Sequence, residues 1–123
     1  MTHRSIRLAL QGLGCAFLLV LALGHPEPAR ADSTIQIRDL ACTPLTTSVN
    51  QGDTVVWANV EDVMPHNISS GQVGGADAGQ LFESPYIMPG DGFSYTFTEA
   101  GEYPYYCPLH PTMIGVIKVA PAS

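Results

Sequence analysis

Apolar and polar residues alternate in short runs along most of this chain, and turn-forming residues separate the runs. At residues 34–40 the period is two, which places Ile35 and Ile37 on one face of a predicted first strand. Alternation, or a β-branched and aromatic composition, predicts further strands at residues 45–49, 54–59, 66–69, 93–98, 103–107 and 114–120. The segment at 71–79 contains four glycines and no strong apolar period, so a surface loop is predicted there.

No stretch after residue 31 has a helical period. Short strands with turn signals at intervals of roughly ten residues predict an all-β fold, an antiparallel sandwich or barrel of seven to eight strands. Residues 81–82 and 86–87 are expected to form short strands or to face the core from loops. Trp57 is predicted to belong to the core. Without internal repeats or a linker, one domain accounts for the whole region.

The first 31 residues have the pattern of a secretory signal peptide. Two arginines lead into an apolar run at 8–23, which is too short to span a bilayer comfortably. A small-x-small cleavage pattern at 29–31 follows, so the mature domain is predicted at 32–123, in the periplasm or otherwise exported, with no membrane insertion after cleavage. An uncleaved membrane anchor is the alternative.

The predicted mature domain is strongly acidic. Residues 32–123 contain ten acidic and two basic side chains, a formal charge of −8. This charge argues against a nucleic-acid partner and favours fast encounter with a protein that has a basic docking face. The alternative is that the charge only keeps an exported protein soluble.

Soft metal ligands recur near the end of the chain. Cys107, His110 and Met113 are spaced three residues apart, and His66 is the only other histidine after residue 31. A thiolate, two imidazoles and a weak thioether form the type of site that suits copper in both oxidation states. Zinc is the alternative metal, but zinc avoids thioether ligands and would not need Met113.

The cysteine count allows a different interpretation. Cys42 and Cys107 are the two cysteines after residue 31, and an even number in an exported chain often indicates a disulfide. A bridged β-domain without metal would leave the spacing of histidine and methionine unexplained. A metal-bound Cys107 explains that spacing and leaves Cys42 as a buried free thiol.

Three segments, at 52–59, 65–68 and 101–115, together resemble the cupredoxins, the family of small blue copper proteins. The short Cys-x-x-His-x-x-Met spacing is more similar to the amicyanin branch of the family than to the plastocyanin branch. The resemblance implies a Greek-key β-sandwich with one type 1 copper ion near one end and a role in electron transfer.

Residue by residue, the resemblance implies that His66, Cys107 and His110 are strong copper ligands and that Met113 is a weak axial ligand. It also implies that the first histidine is buried and that His110 reaches the surface as an electron port. The residues expected around this port are apolar: Met64, Pro65, Leu109 and Pro111.

The loop between the cysteine and the second histidine departs from the family pattern. The family usually has Ser or Thr directly after the cysteine, and short-loop members have Pro directly before the histidine. Here Pro108 has no hydroxyl with which to brace Asn67, which in the family ties the two ligand segments together. Leu109 keeps its N–H, which we expect to donate to the sulfur of Cys107.

Three function classes compete. A mobile one-electron carrier needs one rigid redox site and a docking face, and the sequence is consistent with both. A copper delivery or storage protein of the cell envelope is the alternative, although Met64 and Met88 form no ligand cluster. A redox enzyme would need further histidines, so no enzymatic activity is expected. The expected partners of a monomeric carrier are redox proteins, a cytochrome-like acceptor or a dehydrogenase donor.

Overall fold

A computed structural model describes residues 32–122, which form eight β-strands. The strands are β1 (Ser33–Arg38), β2 (Ala41–Thr43), β3 (Thr46–Asn50), β4 (Thr54–Asn59), β5 (Ser69–Ser70), β6 (Gly92–Thr96), β7 (Gly101–Cys107) and β8 (His110–Ala120). None of the described residues forms a helix long and apolar enough to cross a membrane. The predicted signal peptide at 1–31 lies outside the described residues.

The strands form two four-stranded sheets, in the orders β2-β1-β4-β6 and β3-β8-β7-β5. The sheets face each other across the core, where Trp57 of β4 meets Tyr105 of β7 at 5.2 Å between ring centroids. The prediction of an all-β sandwich of seven to eight strands is confirmed. One refinement is that β1 with β4 and β3 with β8 pair in parallel, since neither pair is joined by a tight turn.

The core follows from the alternation in the strands. In β4 every second residue is buried, and Val55 and Trp57 have no exposed surface. In β1 the buried positions are Ile35 and Ile37, as predicted. Three aromatic rings lie within 6 Å of the Trp57 ring, centroid to centroid, so this indole occupies the centre of the sandwich: Phe82, Phe93 and Tyr105.

The first strand ends earlier than its alternation predicts. β1 ends at Arg38 instead of at residue 40, and the chain reverses through Asp39 and Leu40 into β2. Both turn residues have positive φ, 54° and 58°. Two-residue hairpins of this kind usually contain Asn-Gly or Asp-Gly, so the pair Asp-Leu carried no recognisable turn signal.

The last strand begins earlier than predicted. β8 starts at His110 instead of at residue 114, because Pro108 and Leu109 alone connect it to β7. Cys107 pairs with His110 across this connection, and the register shifts between Tyr106 and Cys107. Cys107, His110 and Met113 therefore all lie on strands.

Candidate metal centre

Three of the predicted ligands meet at one end of the sandwich. The ligand atoms of His66, Cys107 and His110 all lie within 4.8 Å of one another. The two Nδ1 atoms of the histidines are 3.2 Å apart, and the sulfur of Cys107 is 3.8 Å from Nδ1 of His110. Both imidazoles thus turn the same nitrogen toward the centre of the cluster.

Backbone pairing holds each of these three residues. Cys107 is the last residue of β7 and His110 the first of β8, so their hairpin presents them side by side. His66 lies outside the named strands, but its N–H and carbonyl exchange hydrogen bonds of 3.1 and 2.7 Å with Ile87. The strand predicted at 66–69 is thus reduced to this isolated bridge and to β5.

The ligands differ in exposure. His66 and Cys107 have no exposed surface, whereas His110 is half-buried. Leu109, beside His110, is 42% exposed. This is the burial that the resemblance implied for the two histidines. Met113 is buried on the inward face of β8, three residues after His110.

The outer nitrogen of His66 faces an acidic side chain. Oε1 of Glu61 lies 3.5 Å from Nε2 of His66, longer than an ordinary hydrogen bond, and also accepts the N–H of Asp39 at 2.7 Å. Burial lowers the pKa of His66, Glu61 partly opposes this change, and neighbouring His110 lowers the pKa further. Neutral imidazole, the form that binds a metal, is thus favoured at this position.

The two ligand segments are braced through Leu109, whose N–H has a different acceptor from the one that the sequence predicted. The N–H of Leu109 donates to Oδ1 of Asn67 at 3.3 Å instead of to the sulfur of Cys107. The same oxygen lies 3.6 Å from that sulfur. The lack of a hydroxyl at Pro108 is therefore offset by the next backbone amide.

The cluster fits a copper ion. Two nitrogen ligands each about 2.0–2.1 Å from one metal ion would lie a little over 3 Å apart, and the two Nδ1 atoms are 3.2 Å apart. A buried thiol next to two imidazoles is a soft donor set, which favours copper over hard cations. The residues present therefore match the metal that the sequence predicts.

Cys42 takes no part in the cluster. Both Cys42 and Cys107 are buried free thiols, so the disulfide alternative has no support in the fold. Burial raises the pKa of Cys42 to about 11, an effect that nearby Tyr105 partly opposes. Burial also raises the pKa of Tyr105, whose hydroxyl has no hydrogen bond of ordinary geometry within residues 32–122.

The sequence reasoning missed two residues near the cluster. Asn59 is buried at the end of β4 and hydrogen-bonds to the chain on both sides of His66. A polar residue on the otherwise apolar inward face of the strand was the available signal. Glu61 gave no comparable signal, since its contact with His66 depends on how the connection after β4 folds.

Comparison with known proteins places this chain in a family. The family model for copper-binding proteins of the plastocyanin/azurin type matches residues 29–120. A plastocyanin from Synechococcus sp. (strain JA-2-3B'a(2-13)) is 32% identical over 127 residues, which cover 93% of this chain and 88% of the plastocyanin. Amicyanin from Paracoccus denitrificans is 42% identical over 71 residues, 58% of this chain and 52% of the amicyanin. The chain thus matches about half the length of that relative.

Solved structures agree with the sequence matches. A purple cupredoxin from Nitrosopumilus maritimus superimposes with a TM-score of 0.66 at 38% identity, covering 72% of this chain and all of the other. Amicyanin from Paracoccus versutus gives a TM-score of 0.62 at 34% identity, covering 76% of this chain and 84% of the other. Fold, site and matches agree, and the chain belongs to the plastocyanin/azurin family of copper-binding proteins.

Proposed function

We propose that this protein is a one-electron carrier that holds one type 1 copper ion. The observation that carries the proposal is the convergence of two imidazole Nδ1 atoms and one thiol within 4.8 Å, at the end of a rigid sandwich. The proposed ligands are His66, Cys107 and His110, with Met113 as the weak axial ligand. A bound copper ion supplies a Cu(I)/Cu(II) couple at such a site.

The chain's own residues set the conditions for this couple. His66 and Cys107 lie in the interior, which excludes water from most of the site. The hairpin of β7 and β8 and the bridge between His66 and Ile87 hold the ligands in place before metal arrives. A site that is preorganised in this way changes little between oxidation states, which favours fast electron exchange.

Half-buried His110 is the proposed point of electron entry and exit. It is the most exposed of the three clustered ligands, and Leu109 next to it is 42% exposed. The proposed apolar rim consists of Met64, Pro65, Leu109 and Pro111. A partner that covers such a rim displaces water and brings its own redox group close to the imidazole.

Location and partners are part of the same proposal. We infer export through the signal peptide predicted at 1–31 and docking to a redox protein with a basic face, a cytochrome-like acceptor or a dehydrogenase donor. The net charge of −8 over residues 32–123 supports the choice of a basic face. The N-terminal sequence of protein recovered from the producing cell tests cleavage of this signal peptide, and an intact Met1 would contradict cleavage and favour the uncleaved anchor.

The proposed function is tested by titrating the metal-free protein with Cu(II) while recording the visible spectrum. We expect an intense thiolate-to-copper charge-transfer band at one equivalent, lost on mild reduction and restored by oxidation. Cys107→Ser should abolish the band, and the matched change Cys42→Ser should keep it. A wild type without the band, or with copper that escapes to a Cu(I) chelator on each reduction, would rule out a carrier. The second result would favour copper delivery.

A further inference from the structure

Asn59, the last residue of β4, makes three hydrogen bonds through its side-chain amide. It is 1% exposed. Its Nδ2 donates to the carbonyl oxygens of Met64 and Ile87, each at 2.8 Å, and its Oδ1 accepts the N–H of Glu61 at 3.0 Å. Both N–H donors and the oxygen of the amide are thus engaged with the backbone of three different residues.

Each of these three contacts reaches a segment that adjoins His66 in the chain or contacts it. Met64 lies two residues before His66 in the chain. Ile87 pairs with the backbone of His66 through two hydrogen bonds. Glu61 places a carboxylate oxygen 3.5 Å from Nε2 of the imidazole. One amide therefore connects the end of β4 to three segments next to this histidine.

The contacts around His66 determine the orientation of its imidazole ring. Nδ1 of His66 points to Nδ1 of His110 at 3.2 Å, while Nε2 points to Glu61. A proton on Nε2 that faces a carboxylate leaves Nδ1 with its lone pair free for a metal. If the Glu61 segment or the Ile87 segment moved, the ring would lose this alignment.

We propose that Asn59 is a positioning residue for His66, which aligns Nδ1 with the other ligands before the metal binds. The inference rests on the proposed function, since it treats His66 as a copper ligand. A purely structural role would make Asn59 one more buried group that contributes to folding. A substitution distinguishes the two roles. Loss of positioning weakens copper binding beyond what the loss of stability explains, whereas loss of a structural group lowers stability alone.

The first test compares two variants that lose the two donated hydrogen bonds in different ways. Asn59→Asp keeps the size and the acceptor but loses the two N–H donors, and Asn59→Ser loses the reach to both carbonyls. We expect copper affinity to fall about 10–100-fold, with a shifted charge-transfer band. In Asn59→Asp an added negative charge would strengthen cation binding, so a loss of affinity there reflects lost positioning.

The control is Val119→Ala, a buried change at the far end of β8, nine residues beyond His110. It should lower the free energy of unfolding while leaving copper affinity and spectrum unchanged. If the Asn59 variants behave like this control, the inference is wrong. A wild type that forms no copper–thiolate band would instead remove the proposed function itself.

The metal-free wild type provides a second test that does not depend on the variants folding. The side-chain amide protons of Asn59 should exchange with solvent as slowly as the backbone amides of His66 and Ile87. Fast exchange of the Asn59 protons beside slow exchange of those two amides would overturn the inference, because the side chain would then not hold the segment.

Discussion

At the residue scale, Gly115 leaves no room for a side chain. Its φ lies outside the left-handed region, yet a Cβ there would overlap the ring and hydroxyl of Tyr105. Tyr105 is itself buried and pairs with Gly115 across β7 and β8. The glycine is therefore required by packing, not by backbone conformation.

We predict that Gly115→Ala lowers the free energy of unfolding by about 3 kcal/mol, at the upper end of overpacking costs. The control Gly90→Ala has φ of 86° and open space around it, so only backbone strain of about 1–2 kcal/mol applies. Denaturant unfolding measures both. Replacing Tyr105 by Leu in the Gly115→Ala background should recover part of the loss, and strictly additive costs would contradict the packing explanation.

Cys42 makes the free energy of unfolding depend on pH in the alkaline range. Its pKa is raised from 9.0 in the unfolded chain to about 11 by burial. Above the lower value the unfolded chain releases a proton that the folded protein keeps, so stability falls as pH rises. The contribution of the thiol is fully present below pH 9.0 and is lost as pH rises through about 11.

The expected loss is at most about 3 kcal/mol, from two pH units at about 1.4 kcal/mol each. Cys42→Ala should remove this part of the alkaline destabilisation, and any loss that remains in the variant belongs to other groups. Unfolding free energies at about pH 8 and about pH 11 give the comparison. Equal losses in wild type and variant would show that the thiol is not responsible.

At the scale of elements, the hairpin of β1 and β2 is strained. Leu40 has φ of 58° and is 46% exposed, so burial of its side chain offsets little of this backbone strain. Leu40→Gly should raise the free energy of unfolding by about 1 kcal/mol, since the left-handed conformation costs a non-glycine residue about 1–2 kcal/mol. The control Leu45→Gly, at a 60% exposed position without positive φ, should lower it. Urea midpoints of the two variants that shift in the same direction would contradict this account.

The connection between β7 and β8 depends on one backbone amide. Leu109→Pro removes the N–H that donates to Oδ1 of Asn67, so the metal-free protein should lose about 1–3 kcal/mol of stability. Leu109→Ala keeps the N–H and should cost about 0.5 kcal/mol or less.

A proline at position 109 also restricts the backbone of Pro108 before it. The stability lost with the hydrogen bond must therefore be separated from the stability lost through this restriction. In an Asn67→Ala background the acceptor is absent, and Leu109→Pro should then cost clearly less than in the wild type. The same cost in both backgrounds would assign the loss to the proline ring alone.

At the scale of the whole molecule, charge governs encounter. Residues 32–123 carry a net charge of −8, and one of the two basic side chains, Lys118, lies 3.8 Å from Glu102. If the protein is an electron carrier, its bimolecular rate with a basic c-type cytochrome should fall about tenfold or more from low salt to roughly 0.5 M salt. Stopped-flow mixing measures this rate. The rate with an uncharged small reductant should not change with salt. A cytochrome rate that is also independent of salt would mean that the acidic surface does not steer docking.

The sequence by itself determined the approximate positions of most strands and the chemistry of the ligands. Alternation is a local property, so it located β4 at Thr54–Asn59 without error and placed Trp57 in the core. Ligand identity is also local, because the softness of a thiol or an imidazole belongs to the side chain. Cys107 and His110 could therefore be named as a pair before any fold was known.

Tertiary structure decided which groups meet. Nδ1 of His66 reaches His110 across 44 residues, and Leu109 reaches Asn67 across 42, distances over which sequence periodicity carries no information. The three contacts of Asn59 likewise exist only once the segment after β4 folds back over it. Periodicity reports which face of a strand is buried, whereas hydrogen bonding between distant segments depends on the path of the whole chain.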